Sequence, residues 1–253
     1  LELQATSSGS VATLTGGISH SGSNDVLKLG GGNDADFALS GLGGTFSGFG
    51  NYEKTGTATW TLTGNTTSTK AWTVSSGVLK LEGGGIAGAT TISSGATLQF
   101  DQTADTTHAA SIGGAGGLKK TGNGTLTLTG TNTYSGGTAI EGGILSGSSS
   151  SIRGNVAVSS GAVVDFKETS DITNANVISG AGRLQKSGSG TLSLTGANTY
   201  SGGTAIEGGI LFGSSSAIRG NIAVSYGAAV DFNEASDVRP FKSVIDNTCI
   251  LIS

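Results

Sequence analysis

Short runs in which apolar and polar residues alternate recur along this chain, and turn-forming residues close each one. TLTL (125–128), TAI (138–140), VAV (156–158), AVVDF (162–166) and TLSL (191–194) put every second side chain on one face, with Gly, Asn or Ser at their ends. A period of two over three to five residues predicts half-buried strands joined by tight turns. Helix is disfavoured throughout, because Gly costs roughly 1 kcal/mol against Ala in a helix interior and Ser and Thr compete for the backbone.

Many short strands would also suit a sandwich or a barrel. The alternation is repeated in a way those folds do not use. NTYSGGTAIEGGIL at 132–145 returns without change at 198–211, and 115–171 aligned on 181–237 at the same 66-residue offset leaves 13 mismatches in 57 positions. A degenerate copy lies upstream, with Lys54-Thr55-Gly56 on Lys120-Thr121-Gly122 and WTLTG (60–64) on LTLTG (126–130). Ser-Ser-Gly-Ala at 93–96 recurs at 159–162, and Phe100, Phe166 and Phe232 hold the register. Units repeating at a fixed long period bury their apolar faces against their neighbours. The expected fold is therefore all-β, a parallel β-helix or β-solenoid of about three coils, each of about 22 residues, per repeat. The anchors Ile140, Val158 and Ile178 would mark successive coils on one face. Ile206, 28 residues on, implies a longer turn at NTYSGG (198–203). Stacking predicts that Phe100, Phe166 and Phe232 line one face, as core; a surface aromatic ladder is the alternative.

Composition narrows the class without changing it. Gly accounts for 46 of 253 residues and Pro for one, with no Gly-x-y period, which excludes collagen. With 35% hydrophobic residues in regular alternation and a net charge of −4, disorder is disfavoured. That charge and only 13 basic residues argue against nucleic acid as a partner.

The run Gly116–Leu145, GGLKKTGNGTLTLTGTNTYSGGTAIEGGIL, resembles the passenger-associated transport repeat of Gram-negative autotransporters. Gly182–Leu211 matches that pattern equally well and 50–79 more weakly, while FSGFGNYEKTG (46–56) resembles the stretch that leads into such repeats. The shared pattern, K-x-G-x-G-T-L-x-L-T-G-x-N-T-Y-S-G-G-T, runs over some twenty positions. The resemblance implies a secreted, right-handed parallel β-helical passenger, carried through the outer membrane by a C-terminal β-barrel translocator. It also implies that the repeat helps the passenger translocate and fold.

Three segments follow: N-terminal coils with weak repetition (1–49), three repeats in a β-helix (50–237), and a non-repeat tail (238–253). The opening LELQATSSGS has neither the basic nor the apolar region of a signal peptide, Met is absent, and no barrel-type strands occur, so a fragment or processed passenger is expected. After Asp237 the register fails. VRPFKSVIDNTCILIS holds the only Pro and the only Cys, Cys249, and reads as foreign sequence or as a cap covering an open strand edge.

Candidate chemistry is sparse, and no catalytic, cofactor-binding or metal-binding residue is assigned. His20 and His108 are the only histidines and show no metal-ligand spacing. No Gly-x-Ser-x-Gly elbow accompanies them, and His20 reads as a solvated loop residue. Cys249 lacks a base to activate it. Asp165, Glu168 and Asp171 recur as Asp231, Glu234 and Asp237. A cluster that repeats with the scaffold reads as a solvated edge, since active sites are made once. LGGGNDADFAL (29–39) resembles a calcium-binding nonapeptide, but a single copy supplies half a site; Asp34 and Asp36 are then turn residues of the first coil. Arg153 and Arg219 share an I-R-G-N context at a turn or strand end. The expected function is a non-enzymatic, surface-displayed scaffold for translocation and host contact. Its partners would be the translocator and host cell-surface or matrix proteins, with no cofactor and no small-molecule substrate. The alternatives are the stalk of an enzymatic passenger and a released ligand for a host receptor.

Overall fold

In the computed structural model, residues 1–4, 10–11, 18–19, 24–43 and 46–233 are described. His20, Glu234, Asp237, Cys249 and the tail 238–253 lie outside them. The described chain is almost entirely β, with one 3-10 turn at Leu39–Gly41 and parallel pairing in every ladder. It is a parallel β-helix. Two compact units are present, Leu1–Gly137 and Thr138–Ser253.

The first unit is built from three walls. One wall stacks Glu2–Gln4, Val26–Gly30, Asn51–Lys54, Trp72–Val74, Thr90–Ile92 and Ile112–Gly114. The second stacks Ser10–Val11, Ala35–Ala38, Thr59–Thr63, Val78–Glu82, Thr97–Asp101 and Gly117–Thr121. The third has two short ladders, Ile18–Ser19 on Phe46–Ser47 and Thr106–His108 on Thr125–Leu128. In the second unit the walls are Thr138–Ile140, Val156–Val158 and Ile178–Ser179; then Ile144–Gly147, Val163–Lys167, Arg183–Ser187, Thr204–Ile206 and Ile222–Val224; then Ile172–Asn174, Thr191–Leu194, Ile210–Gly213 and Ala229–Phe232.

Alternation along each strand sends every second side chain inward, and parallel register lays those side chains in files along the core. Trp60, Leu79, Leu98 and Leu118 form one file, and Leu145, Val164 and Leu184 another; all seven are at most 2% exposed. Such contiguous burial supplies most of the driving force in a fold whose units touch only their neighbours.

The coil is shorter than the sequence suggests. Partnered residues in successive coils are 18 to 22 positions apart downstream of Asn51, and 25 to 28 apart upstream. Coils of about 20 residues fit the 66-residue repeat three times and leave one wall over. Lys54 therefore sits on the first wall of its unit while Lys120, its repeat equivalent, sits on the second. In the second unit Phe166 and Phe232 likewise fall on different walls, Val163–Lys167 and Ala229–Phe232. The expectation that the repeated phenylalanines share one face is thus corrected, although Phe100 and Phe166 are buried in the core as expected.

The same arithmetic corrects the anchors. Ile140 partners Val158, but Ile178 partners Val156, and Ile206 belongs to another wall, beside Lys186. NTYSGG is not an extended turn. Thr199 and Ser201 donate their N–H groups to Ile178 O (2.8 Å) and Gly180 O (2.9 Å), so the segment continues the stack as a wall without regular strand geometry.

Candidate functional site

The polar residues that define the repeat point inward. Lys54, Lys120 and Lys186 occupy inward strand positions two residues after Tyr52, Leu118 and Leu184, and each is fully buried. Their ammonium groups reach the turn that follows. Lys54 Nζ donates to Thr55 O (2.6 Å), Gly56 O (2.9 Å) and, one coil on, Ser76 O (3.1 Å). Lys186 Nζ makes the equivalent bonds to Ser187 O (2.8 Å), Gly188 O (2.9 Å) and Gly208 O (3.0 Å). Lys120 Nζ holds Thr121 O (2.7 Å) and Gly122 O (2.9 Å). A buried charge persists only where its donors are satisfied, and a ring of carbonyl dipoles satisfies these. Burial pushes the Lys54 pKa down to about 8, opposed by the Asp34 carboxylate; burial also lowers Lys120 and Lys186. The glycine of K-x-G is required by the turn: Gly56 has φ 70°, in the left-handed region that side chains avoid.

NTYSGGT is equally internal. Asn132 Oδ1 accepts from Ile112 N and Asn198 Oδ1 from Ile178 N, both at 2.8 Å and both one coil back, while Asn198 Nδ2 donates to Ala217 O (2.8 Å) in the coil ahead. Tyr200 is 1% exposed; its hydroxyl pairs with Thr204 Oγ1 (2.8 Å) and accepts from Arg219 N (3.0 Å). Thr138 Oγ1 and Thr204 Oγ1 donate to the carbonyls of Arg153 and Arg219, each at 2.8 Å, so both arginines sit at turns as expected. Asn, Tyr and Thr thus act as bolts between coils. Burial raises the Tyr200 pKa, so the hydroxyl keeps its proton.

Two of the repeated carboxylates, Asp165 and Glu168, are not part of a solvated edge. Asp165 is 7% exposed and accepts from Ser146 Oγ (2.8 Å) and Ser187 Oγ (2.7 Å), linking three successive coils; Glu168 is 4% exposed and accepts from Ser149 N (2.6 Å). Among the described members of the set, Asp171 is exposed, as a solvated edge requires, and Asp231 is half-buried. Asp171 Oδ1 accepts from Thr191 N (2.8 Å), which lowers its pKa, and Asp105 does the same for Thr125 N (2.7 Å). Asp34 accepts from Thr59 N (2.7 Å) in the next coil, and Asp36 lies within the strand Ala35–Ala38 rather than in a turn. Each carboxylate used this way is a coil-to-coil clip.

His108 is 5% exposed, edge-on to Phe100 at 5.0 Å, and its Nε2 has no hydrogen-bond partner. Burial lowers its pKa to about 4, so the imidazole is neutral at pH 7. The sequence reading missed the buried lysines and bolts because it assigned polar repeat residues to the surface by default. A signal was present: Lys54, Lys120 and Lys186 fall on the apolar phase of the strand alternation, in three copies.

Comparison with known proteins agrees with this geometry. The family model described as Passenger-associated-transport-repeat matches residues 53–81, 118–146 and 184–211, each span beginning within two residues of a buried lysine. The chain is similar to "Adhesin BmaC autotransporter" of Brucella suis biovar 1 (strain 1330), 30% identical over 165 residues. That alignment covers 51% of this chain and 5% of the relative, so the chain spans a small fraction of the relative's length. No solved structure matches.

Proposed function

We propose, on the premise that the chain is a β-helical repeat segment of an autotransporter passenger, that it is a non-enzymatic scaffold whose repeats drive folding during export. One observation carries this reading: the residues that make the repeat recognisable are spent on bonds between coils. Lysine, asparagine, tyrosine and threonine all point to backbone atoms or side chains of neighbouring coils, leaving the motif little to offer a ligand. A coil that closes such bonds as soon as the next one is laid cannot slide back through a narrow pore, so folding outside the membrane would bias movement outward. The partner in that step is a C-terminal outer-membrane β-barrel, and the destination is the bacterial surface or the medium.

Host-cell or matrix contact is the second half of the reading, and the relative named an adhesin supports it. Contact would fall to the outward side chains, and not to the buried residues of the shared motif.

The test replaces Gly136, Gly137, Gly202 and Gly203 with Val in the intact parent protein. Surface appearance, followed by protease accessibility, should slow and decline, while binding to host cells normalised to displayed protein should persist. Normal display with lost binding would make the repeat a recognition surface and reject the scaffold reading.

A further inference from the structure

One stretch of the first unit departs from the other copies in a concerted way. Gly83-Gly84-Gly85 stands where the next copies have Ser149-Ser150-Ser151 and Ser215-Ser216-Ala217, and all three then continue with isoleucine: Ile86, Ile152 and Ile218. Ser149 and Ser151 are buried and fill their corner. In the glycine copy the corner is open, with a cavity of about 270 Å³ lined by Asn65, Gly85, Phe100, Thr106, His108 and Leu126 among others. A Cβ at Gly85 would meet nothing within 4 Å, and Gly85 has no positive φ. Gly83 has φ 66° and a Cβ at Gly84 would collide with Gly64 O, so those two answer to the backbone; Gly85 alone is not demanded by conformation, and it leaves space.

The same copy changes the polar residues of that corner. His108 and Thr106 occupy the positions that Asn174 and Ile172 hold one repeat later. His108 Nε2 and Thr106 Oγ1 are both buried and have no hydrogen-bond partner. A buried imidazole nitrogen and a buried hydroxyl left unpaired cost free energy that native proteins rarely concede without a guest or a bound water. Both border one cavity; the matching corner of the next copy also leaves Ser149 Oγ and Asn174 Nδ2 unpaired, and what sets the first copy apart is the open space at Gly85 beside these groups.

We propose that this cavity binds a small neutral polyhydroxylated guest, a hexose or a polyol of similar size. The lining chooses the chemistry. Among the described residues, none that borders the cavity is charged, so an anion or cation would lose its hydration without a counter-charge. A neutral imidazole offers one donor and one acceptor, and a threonine hydroxyl offers both. Such ambivalent groups suit ligand hydroxyls, which also both donate and accept. Phe100 and Leu126 supply the apolar surface for the C–H side of the guest. The volume lies just under the ~300 Å³ where drug-sized pockets begin, which limits the guest to about one sugar ring.

The experiment titrates glucose, galactose, mannose, N-acetylglucosamine and inositol separately into the full chain, and follows the His108 ring signals by NMR, with His20 as the internal control. At least one probe should shift His108 saturably and leave His20 in place. Gly85→Leu, which fills the cavity, should abolish the shift. His108→Asn, which installs the residue of the next copy, should weaken binding at least tenfold as read on the Thr106 amide. Retention of the wild-type circular dichroism spectrum qualifies each variant, and if Gly85→Leu fails to fold, His108→Asn decides alone. If none of the probes gives a saturable shift, or if binding is unchanged in the folded variants, the cavity holds water only and the proposal falls. Surface display of the parent protein is indifferent to this outcome, so the two readings fail separately.

Discussion

The ammonium of Lys186 reaches the carbonyl oxygen of Gly208, 22 residues and one coil further along the chain, at 3.0 Å. Its bonds to Ser187 O and Gly188 O are local, so the lysine holds its own turn first and receives its third acceptor only when the next coil arrives. The group acts as a latch between consecutive coils, and it repeats at Lys54 with Ser76 O.

Lys186→Met keeps the aliphatic stem and deletes the latch. Three carbonyl oxygens lose a charged donor inside the core, which should cost about 3 kcal/mol. Hydrogen exchange on the full chain should show the loss of protection centred on 183–210, with 59–101 unchanged. Protection at wild-type level around Gly208 would mean that the latch contributes nothing.

Gly202 and Gly203 should be intolerant for different reasons. Gly203 has φ 89°, which an alanine would adopt under strain. Gly202 has no such conformation, but a Cβ there would lie 2.5 Å from the backbone of Gly182 in the coil below. Gly202→Ala and Gly203→Ala should each destabilise the chain by about 1–3 kcal/mol in urea melts. A neutral Gly202→Ala would show that the coils can separate at that corner at no cost.

Val158 is 1% exposed and stacks on Ile140. Val158→Asp buries a charge without a partner, at a cost of several kcal/mol. Because neighbouring coils share the damage first, exchange protection should vanish around 140–180 and survive at 54–100. Uniform loss along the chain would contradict nearest-neighbour stabilisation.

His108 gives an acid dependence of known sign. Its folded pKa, about 4, lies below the ordinary 6.5. Between those values the unfolded chain takes up a proton that the folded chain refuses, so stability is lost as pH falls, by up to about 1.4 kcal/mol per pH unit from this one group. Trp60 and Trp72, the only tryptophans, lie in the same unit and report its unfolding by fluorescence. Comparing urea midpoints at pH 7 and 4.5, His108→Asn should lose less stability than the wild type. Equal losses would place the imidazole in contact with solvent.

The period of the sequence made the β-helix legible, because identical segments in register can only stack. It could not reveal the coil length. That length depends on how many residues each corner consumes, and NTYSGG is a wall here although it is composed like a turn. Predicting Phe100, Phe166 and Phe232 on one face failed for that reason. The carboxylates misled in another way: Asp165 and Glu168 look solvent-facing by residue type, and only the stacked Ser146, Ser187 and Ser149 show how they are satisfied. The cavity at His108 was not legible, since the sequence shows the side chain missing at Gly85 but not that Phe100, Thr106 and His108 gather around it.

The leftover wall in each repeat has an effect on how such a protein can grow. Within a unit, a residue and its copy 66 positions on are three coils and one wall apart, as Lys54 and Lys120 are. Duplication therefore changes bearing as well as length. A patch of outward residues copied within one unit would land on the neighbouring wall, so the two copies would not merge into a single adhesive strip that could zip one molecule to the next.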